Sequence, residues 1–253
     1  MQEAYEFSKQ PLGIGQQLDQ SIKLTRATYK SALGVVAMTM VIGVLNAFAF
    51  GSSLAEDGTM PEMSGGELTA FIVFILLQVY LYFLMLTRIT YAAHGLGDLS
   101  DAASFSIKNL HRIIGLYLLF MLAVMVGYVL LIIPGLILTI SLSLCFYIFL
   151  LEKTGVVASL KRSHELVWGN WMRTMVVFSV GGIIVLIFYF IIGAVAGLAA
   201  FGTTTNAEVA INLISAVLSP LVQPYFIALC LVVYHDVRLR KEGDDLSTEL
   251  DSL

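Results

Sequence analysis

Acidic and basic side chains alternate at helical spacing in two segments of the sequence. Lys161 stands four residues before Glu165, and Asp236 stands four residues before Arg240. Such pairs share one face of a helix and form ion pairs there. Two segments of this kind can meet in a charged network that closes a helical bundle or binds a phosphate group. The candidate members are Glu152, Arg162, Glu165, Asp236, Arg238 and Arg240.

Sequence motifs for catalysis or metal binding are absent. The sequence contains no Gly-rich phosphate loop, no Gly-x-Ser-x-Gly elbow and no His-Glu-x-x-His. None of its four histidines has another His or Cys at ligand spacing; they are His94, His111, His164 and His235. We therefore expect no catalytic residue, no bound metal and no cofactor, and we predict that the protein is not an enzyme.

The composition places the chain in a membrane. Of its 253 residues, 58% are hydrophobic and only 13% are charged, whereas about a quarter of the residues are charged in soluble domains. The net charge of -4 gives no basic surface for nucleic acid. Cys145 and Cys230 both lie in apolar runs, where buried unpaired thiols are expected rather than a disulfide.

Hydropathy predicts six membrane spans. Apolar stretches cover residues 32–50, 68–86, 113–151, 175–200 and 213–233, and each can cross a hydrocarbon core of about 30 Å. The third would form a helix of roughly 58 Å, and Pro134-Gly135 interrupts it near its middle. We expect a tight hairpin turn there, with spans at 113–133 and 136–151. A re-entrant pair is the alternative, because 136–151 is short.

The positions of the basic residues predict the orientation. All 14 Lys and Arg lie in the N-terminal segment, in 87–112, in 152–174 or in the C-terminal tail, whereas the loop 52–67 carries only acidic residues. With six spans, the positive-inside rule puts both termini and every basic segment in the cytoplasm. We expect one membrane domain over 1–240, an acidic tail over 241–253 that is disordered from Ser247 onwards, and an uncleaved first span.

Three basic segments have the period of an amphipathic helix, and each precedes a pair of spans. We predict three copies of one unit, an interfacial helix followed by a hairpin, over about 15–100, 101–153 and 155–240. Ordinary basic loops are the simpler alternative. The predicted apolar faces are Leu18, Ile22, Thr25 and Tyr29, then Ala103, Ile107, Leu110 and Ile114, then Val157, Leu160, Val167 and Trp171. The predicted interfacial anchors are Lys23, Arg26, Lys30, Lys108, Arg112, Trp168 and Trp171.

The middles of the spans contain amides but no charged residue. Asn46, Gln78, Asn212 and Gln223 can tie helices together or line a polar path. Pro220 and Pro224 are expected to kink the last span or open its hydrogen-bond ladder.

Four stretches carry a family resemblance. They are the Pro134-Gly135 turn, the apolar run to Glu152, the segment from Gly155 to Leu166, and the tail from Tyr234 to Gly243. Together they resemble the membrane domain attached to glycerophosphoryl diester phosphodiesterases and are similar to six-span bacterial membrane proteins of the YciC type. The resemblance covers most of the chain and is best over 130–243. It implies a protein of the bacterial cytoplasmic membrane with no settled biochemical role. The phosphodiesterase activity would belong to a separate soluble barrel, which this sequence lacks.

The sequence thus predicts an all-α, six-span, non-enzymatic membrane protein. We expect it to bind, organise or move lipid or a lipophilic small molecule, or to support an envelope protein. Its expected partners are membrane lipids and, further, another membrane protein or a second copy. A transporter or channel for a small solute is the alternative. An intramembrane enzyme is the third class, and its candidate residues are Ser141, Ser143 and Tyr147 near Glu152.

Overall fold

The computed structural model describes the backbone of residues 5–50, 64–200 and 207–251, and the side chains of 5–50, 64–198 and 211–243. Within these ranges the chain forms helices and no strand. Glu56, Asp57 and Glu62 of the predicted acidic loop lie outside the described residues. The helices are α1 Ile14–Phe50, α2 Gly65–His94, α3 Leu99–Lys108, α4 Leu110–Leu130, α5 Ile132–Leu142, α6 Cys145–Leu151, α7 Val156–Val167, α8 Trp171–Ala200 and α9 Ala207–Asp251.

Six helical segments of the described chain are long and apolar enough to cross a membrane. Five of these segments are the single helices α1, α2, α4, α8 and α9, and the sixth is formed by α5 and α6 together. The predicted number of spans is therefore confirmed, and the chain is a multi-pass membrane protein. Most of the helices extend beyond the predicted spans. The 45-residue α9 is about 67 Å long, so its charged C-terminal part projects beyond a hydrocarbon core of about 30 Å.

Helix α9 is the central element of the bundle. It packs against α1 and α8 and also contacts α2, and its residues from Ile227 to Val233 are buried. Pro220 and Pro224 lie inside α9, which continues through both as one helix. Since proline lacks an N–H group, the carbonyl of Ala216 loses its helical partner. At this level Gly43 of α1 approaches closely, because a Cβ on Gly43 would lie 3.2 Å from that of Ala216.

The acidic tail was expected to be disordered from Ser247, and the described backbone differs from this expectation. The backbone of α9 continues as a helix to Asp251. The sequence of the tail contains neither proline nor a run of glycines that would end the helix. As far as Asp251, the acidic tail is therefore a continuation of the last helix.

The chain between α4 and α5 reverses at Leu131 rather than at Pro134-Gly135. Leu131 is extended (φ -170°, ψ 159°) and is the one residue between the two helices. Pro134 lies in the first turn of α5, where its missing N–H leaves no hydrogen bond unmade. Gly135 permits the close packing of the two helices, because a Cβ there would lie 2.9 Å from the Cα of Tyr128. The predicted span 136–151 also has a break, since α5 ends at Leu142 and α6 begins at Cys145.

Of the three predicted interfacial helices, the second and third are separate helices in the structure and the first is not. Helices α3 and α7 are separate short helices at the second and third predicted positions. They bury small polar residues, such as Ser106 and Ser159, and leave Ile107 61% and Val157 69% exposed. The first prediction is wrong, because α1 runs without a break from Ile14 to Phe50. No proline separates the basic segment from the span, so helix propagation continues through it.

The buried face of the N-terminal part of α1 also differs from the predicted one. Its buried residues are Gln17, Ser21, Leu24 and Thr28, whereas Ile22 is exposed. The small and polar positions face the protein because α1 packs on α9 here. The threefold repeat is therefore not reproduced in the first unit.

We predict that Gly135→Ala destabilises the protein by about 1–3 kcal/mol, because the added methyl group must displace the backbone of α4. Gly115→Ala is the matched control, since nothing lies within 4 Å of a Cβ at that position of α4. It should be neutral or stabilising by up to about 1 kcal/mol. Thermal unfolding of the purified variants in detergent measures both. Equal unfolding temperatures for the two variants would contradict the close packing at Gly135.

Candidate functional site

A buried carboxylate holds the end of the bundle together. The Asp236 side chain on α9 is 1% exposed and accepts hydrogen bonds from the backbone N–H of Leu12 (2.6 Å) and from the Gln17 amide (2.7 Å). The guanidinium of Arg240 lies 2.8 Å from the same carboxylate and that of Arg173 lies 3.8 Å from it. Both arginines also donate to the carbonyl of Leu12. This Asp236 cluster joins the N-terminal segment, which here means residues 5–13 before α1, to α1, α8 and α9.

A second charged cluster lies beside the same region of α9. Glu152, at the end of α6, accepts a hydrogen bond from the hydroxyl of the buried Tyr234 (2.9 Å) and lies 3.6 Å from the guanidinium of Arg162 on α7. This Glu152 cluster links α6, α7 and α9. Because Tyr234 and Asp236 are two residues apart, both clusters lie at one end of the bundle.

The six predicted network residues do not form a single network. Asp236 pairs with Arg240, and Glu152 pairs with Arg162. Arg238 instead pairs with Glu242 at 2.7 Å, and Glu165 lies 3.9 Å from Lys161. Both of the latter pairs are largely exposed to solvent, so each contributes little to stability.

The N-terminal segment is held by a pair of histidines. The Nε2 atoms of His94 on α2 and His235 on α9 are 3.0 Å apart, and Nδ1 of His94 lies 2.8 Å from the carbonyl of Thr90. The neutral His94 therefore donates through Nδ1 and accepts from His235 through Nε2. Phe7 stacks on both rings, with centroid distances of 3.9 Å to His235 and 5.1 Å to His94. Tyr5 adds a backbone hydrogen bond to Ala93.

Sequence reasoning missed Arg173, Gln17 and the histidine pair. His94 and His235 are 141 residues apart, so spacing along the chain gave no sign of their contact. Gln17 is four residues before Ser21, and both belong to the buried face of α1. A test for buried polar residues at helical spacing would have found Gln17, because the face repeats every three or four positions.

The predicted interfacial anchors mostly lie on the surface. Arg26, Lys30, Lys108 and Arg112 are exposed, and Lys23 pairs with Asp19 at 2.7 Å. Trp168 is 58% exposed. Trp171 is partly buried, and its indole Nε1 is buried without a hydrogen-bond partner among the described residues.

A cavity of about 690 Å³ lies among the spans, within the range of pockets that hold small molecules. Helices α2, α4, α5, α6, α8 and α9 contribute its walls. Eight aromatic side chains of the described chain line it, namely Tyr82, Phe83, Tyr117, Phe120, Phe146, Tyr147, Phe178 and Phe226. Its other polar lining residues are uncharged: Gln78, Thr139, Ser143, Ser179, Gln223 and Cys230.

Two of the four predicted path residues meet in this cavity. Gln78 lines it from α2 and Gln223 lines it from α9, whereas Asn46 and Asn212 are not part of its lining. Tyr147 connects the cavity to the charged end, because its ring stacks on that of Tyr234 at 6.5 Å, and Tyr234 in turn donates to Glu152.

The predicted enzyme residues are not arranged as a nucleophile and a base. Ser141 Oγ is buried with no hydrogen-bond partner in the described part of the chain. Ser143 and Tyr147 donate to the backbone carbonyls of Ile140 and Ile227. A serine nucleophile needs a base within hydrogen-bond reach, and none lies there in this arrangement.

We predict that Asp236→Asn destabilises the protein by about 3 kcal/mol, because it leaves the two arginines without their counter-charge. The N-terminal segment should also become more sensitive to protease. Glu242→Gln is the matched control, since it removes an exposed carboxylate from the same helix, and it should cost under about 1 kcal/mol. Unfolding temperature and limited proteolysis measure the difference. Identical behaviour of the two variants would show that the Asp236 cluster does not hold the segment.

Comparison with known proteins gives one partial match. A stretch of 91 residues is 37% identical to a UPF0259 membrane protein of Pectobacterium carotovorum, and it covers 36% of this chain and 36% of that protein. No family model matches the chain, and no solved structure matches it. The similarity supports the predicted likeness to an uncharacterised family of bacterial multi-pass membrane proteins. The predicted link to glycerophosphoryl diester phosphodiesterases stays a prediction.

Proposed function

We propose that this protein binds a lipophilic molecule in the cavity among its spans. The observation that carries the proposal is the lining, in which aromatic and aliphatic side chains surround a few uncharged polar groups. Such a lining suits a ligand that is apolar over most of its surface and polar at one point. The bilayer supplies ligands of this kind directly to the helices that form the cavity.

The charged end of the bundle supports a role in holding such a molecule. Tyr147 lines the cavity and packs on Tyr234, whose hydroxyl is bound by Glu152. The Glu152 cluster and the Asp236 cluster therefore close the bundle beyond the cavity. A continuous polar path for a solute would need further polar residues, and Asn46 and Asn212 do not line this cavity. Binding of a lipophile is thus better supported than solute transport.

The location and the orientation of the protein are also part of what we propose. We place the protein in the bacterial cytoplasmic membrane, with both termini and the two charged clusters on the cytoplasmic side. The positive-inside rule supports this orientation. Exposed Arg26, Lys30, Lys108 and Arg112 would then contact anionic headgroups of the inner leaflet.

We predict that a lipophile co-purifies with the protein and that Thr139→Phe reduces its occupancy about tenfold by filling the cavity. Thr139 lines the cavity and bonds its hydroxyl to the carbonyl of Gly135. Thr69→Phe is the matched control, because Thr69 makes the same bond to Gly65 at an exposed position. Mass spectrometry of lipids extracted from equal amounts of purified protein measures the occupancy. Equal amounts of every lipid in the two variants would contradict the proposed function.

We predict that all basic segments lie on the same side of the membrane. Single cysteines replacing Lys30, Arg112 and Arg162 should react with an impermeant maleimide only after the cells are opened, whereas Ser64→Cys should react in intact cells. The natural Cys145 and Cys230 are buried and serve as the unlabelled background. Reaction of Arg112→Cys or Arg162→Cys in intact cells would overturn the orientation.

A further inference from the structure

We infer that the occupant of the cavity is a neutral, single-chain amphiphile whose polar end carries a hydrogen-bond donor, such as a hydroxyl or an amide N–H. This inference rests on the proposed function and specifies its ligand. It follows from the lack of charged side chains among the described lining residues, from the hydrogen bonds that the lining hydroxyls already make, and from the volume of the cavity.

The lining excludes a charged ligand group. Among the described residues, none that lines the cavity is an Asp, Glu, Lys, Arg or His. The carboxylate of Glu152 is bound by Tyr234 and Arg162 and is not part of the lining. A phosphate, carboxylate or ammonium group inside the cavity would therefore lose its water without gaining a counter-ion, which disfavours its binding strongly.

Three lining hydroxyls offer only lone pairs to a ligand. Thr139 donates its proton to the carbonyl of Gly135, Ser143 donates to that of Ile140, and Tyr147 donates to that of Ile227, each at 2.8 Å. A hydroxyl that donates to the backbone can still accept a hydrogen bond. A ligand that meets these oxygens must consequently supply the proton.

Gln223 is the lining residue that most needs a hydrogen-bond donor from the ligand. The carbonyl oxygen of its side chain is buried and has no hydrogen-bond partner among the described residues, although the residue lines the cavity. A buried acceptor without a partner is costly. A ligand hydroxyl or amide N–H that reaches this oxygen would supply the hydrogen bond that it lacks.

The volume sets the length of the apolar part. A cavity of about 690 Å³ has room for roughly 20 groups of the size of a water molecule, at about 30 Å³ each. That is enough for one alkyl chain with a small polar end. The aromatic and aliphatic walls suit such a chain.

Binding of tritiated 1-hexadecanol to the purified full-length protein, followed by a scintillation proximity assay, tests this inference. The competitors are unlabelled 1-hexadecanol, hexadecyl methyl ether and palmitate, which share a chain but differ in the donor and the charge. We expect saturable binding, with the alcohol displacing the label at concentrations about tenfold lower than the ether or palmitate. One neutral hydrogen bond gives a preference of this order.

The variant Gln223→Leu should remove most of the preference for the alcohol over the ether. Gln20→Leu is the matched control, because Gln20 lies on α1 away from the cavity lining, and it should keep the full preference. Equal displacement by all three competitors would overturn the inference, as would tighter binding of palmitate. The inference would also be overturned if hexadecanol showed no saturable binding while a lipophile still co-purified with the protein and was lost in Thr139→Phe. That result would leave the proposed function standing. Failure of both experiments would remove the proposed function as well.

Discussion

The burial of one carboxylate constrains the rest of this structure. Asp236 is stable in its buried position only because two arginines, an amide and a backbone N–H surround it. These groups come from the N-terminal segment, α1, α8 and α9, so satisfying the charge fixes the relative positions of four parts of the chain. Since charges are expensive in hydrocarbon, the cluster must also lie at the membrane boundary.

Anchoring α9 at its end determines where its middle lies. About four and a half turns of helix separate Pro220 from Asp236, and this part of α9 supplies Gln223, Phe226 and Cys230 to the cavity. On its other side α9 packs closely on α1, where Gly43 allows contact with Ala216. Bulky aromatic side chains from α2, α4, α6 and α8 meet on the cavity side, and they cannot pack as closely as small residues do. The cavity is the space that this difference leaves.

The sequence predicts the membrane architecture well, because hydropathy and charge segregation depend only on local composition. It also identifies Glu152, Arg162, Asp236 and Arg240, since a charge next to an apolar span is conspicuous. The contacts of Asp236 with Leu12 and Gln17 join residues more than 200 positions apart, and no local pattern predicts them. The break after Leu142 and the turn at Leu131 depend on side-chain packing, whereas the sequence signals only a turn near proline. The cavity likewise depends on how six segments pack together.

Photolabelling with a neutral alkyl diazirine alcohol in lipid nanodiscs tests the central claim most directly, because it reports where a lipophile resides. Peptide mapping by mass spectrometry identifies the labelled side chains. We expect saturable labelling of Tyr117, Phe146 and Phe226, which line the cavity, and suppression of that labelling by excess 1-hexadecanol. Labelling confined to outward-facing residues such as Val129 and Phe190, which are 80% and 79% exposed, and insensitive to the competitor would contradict it.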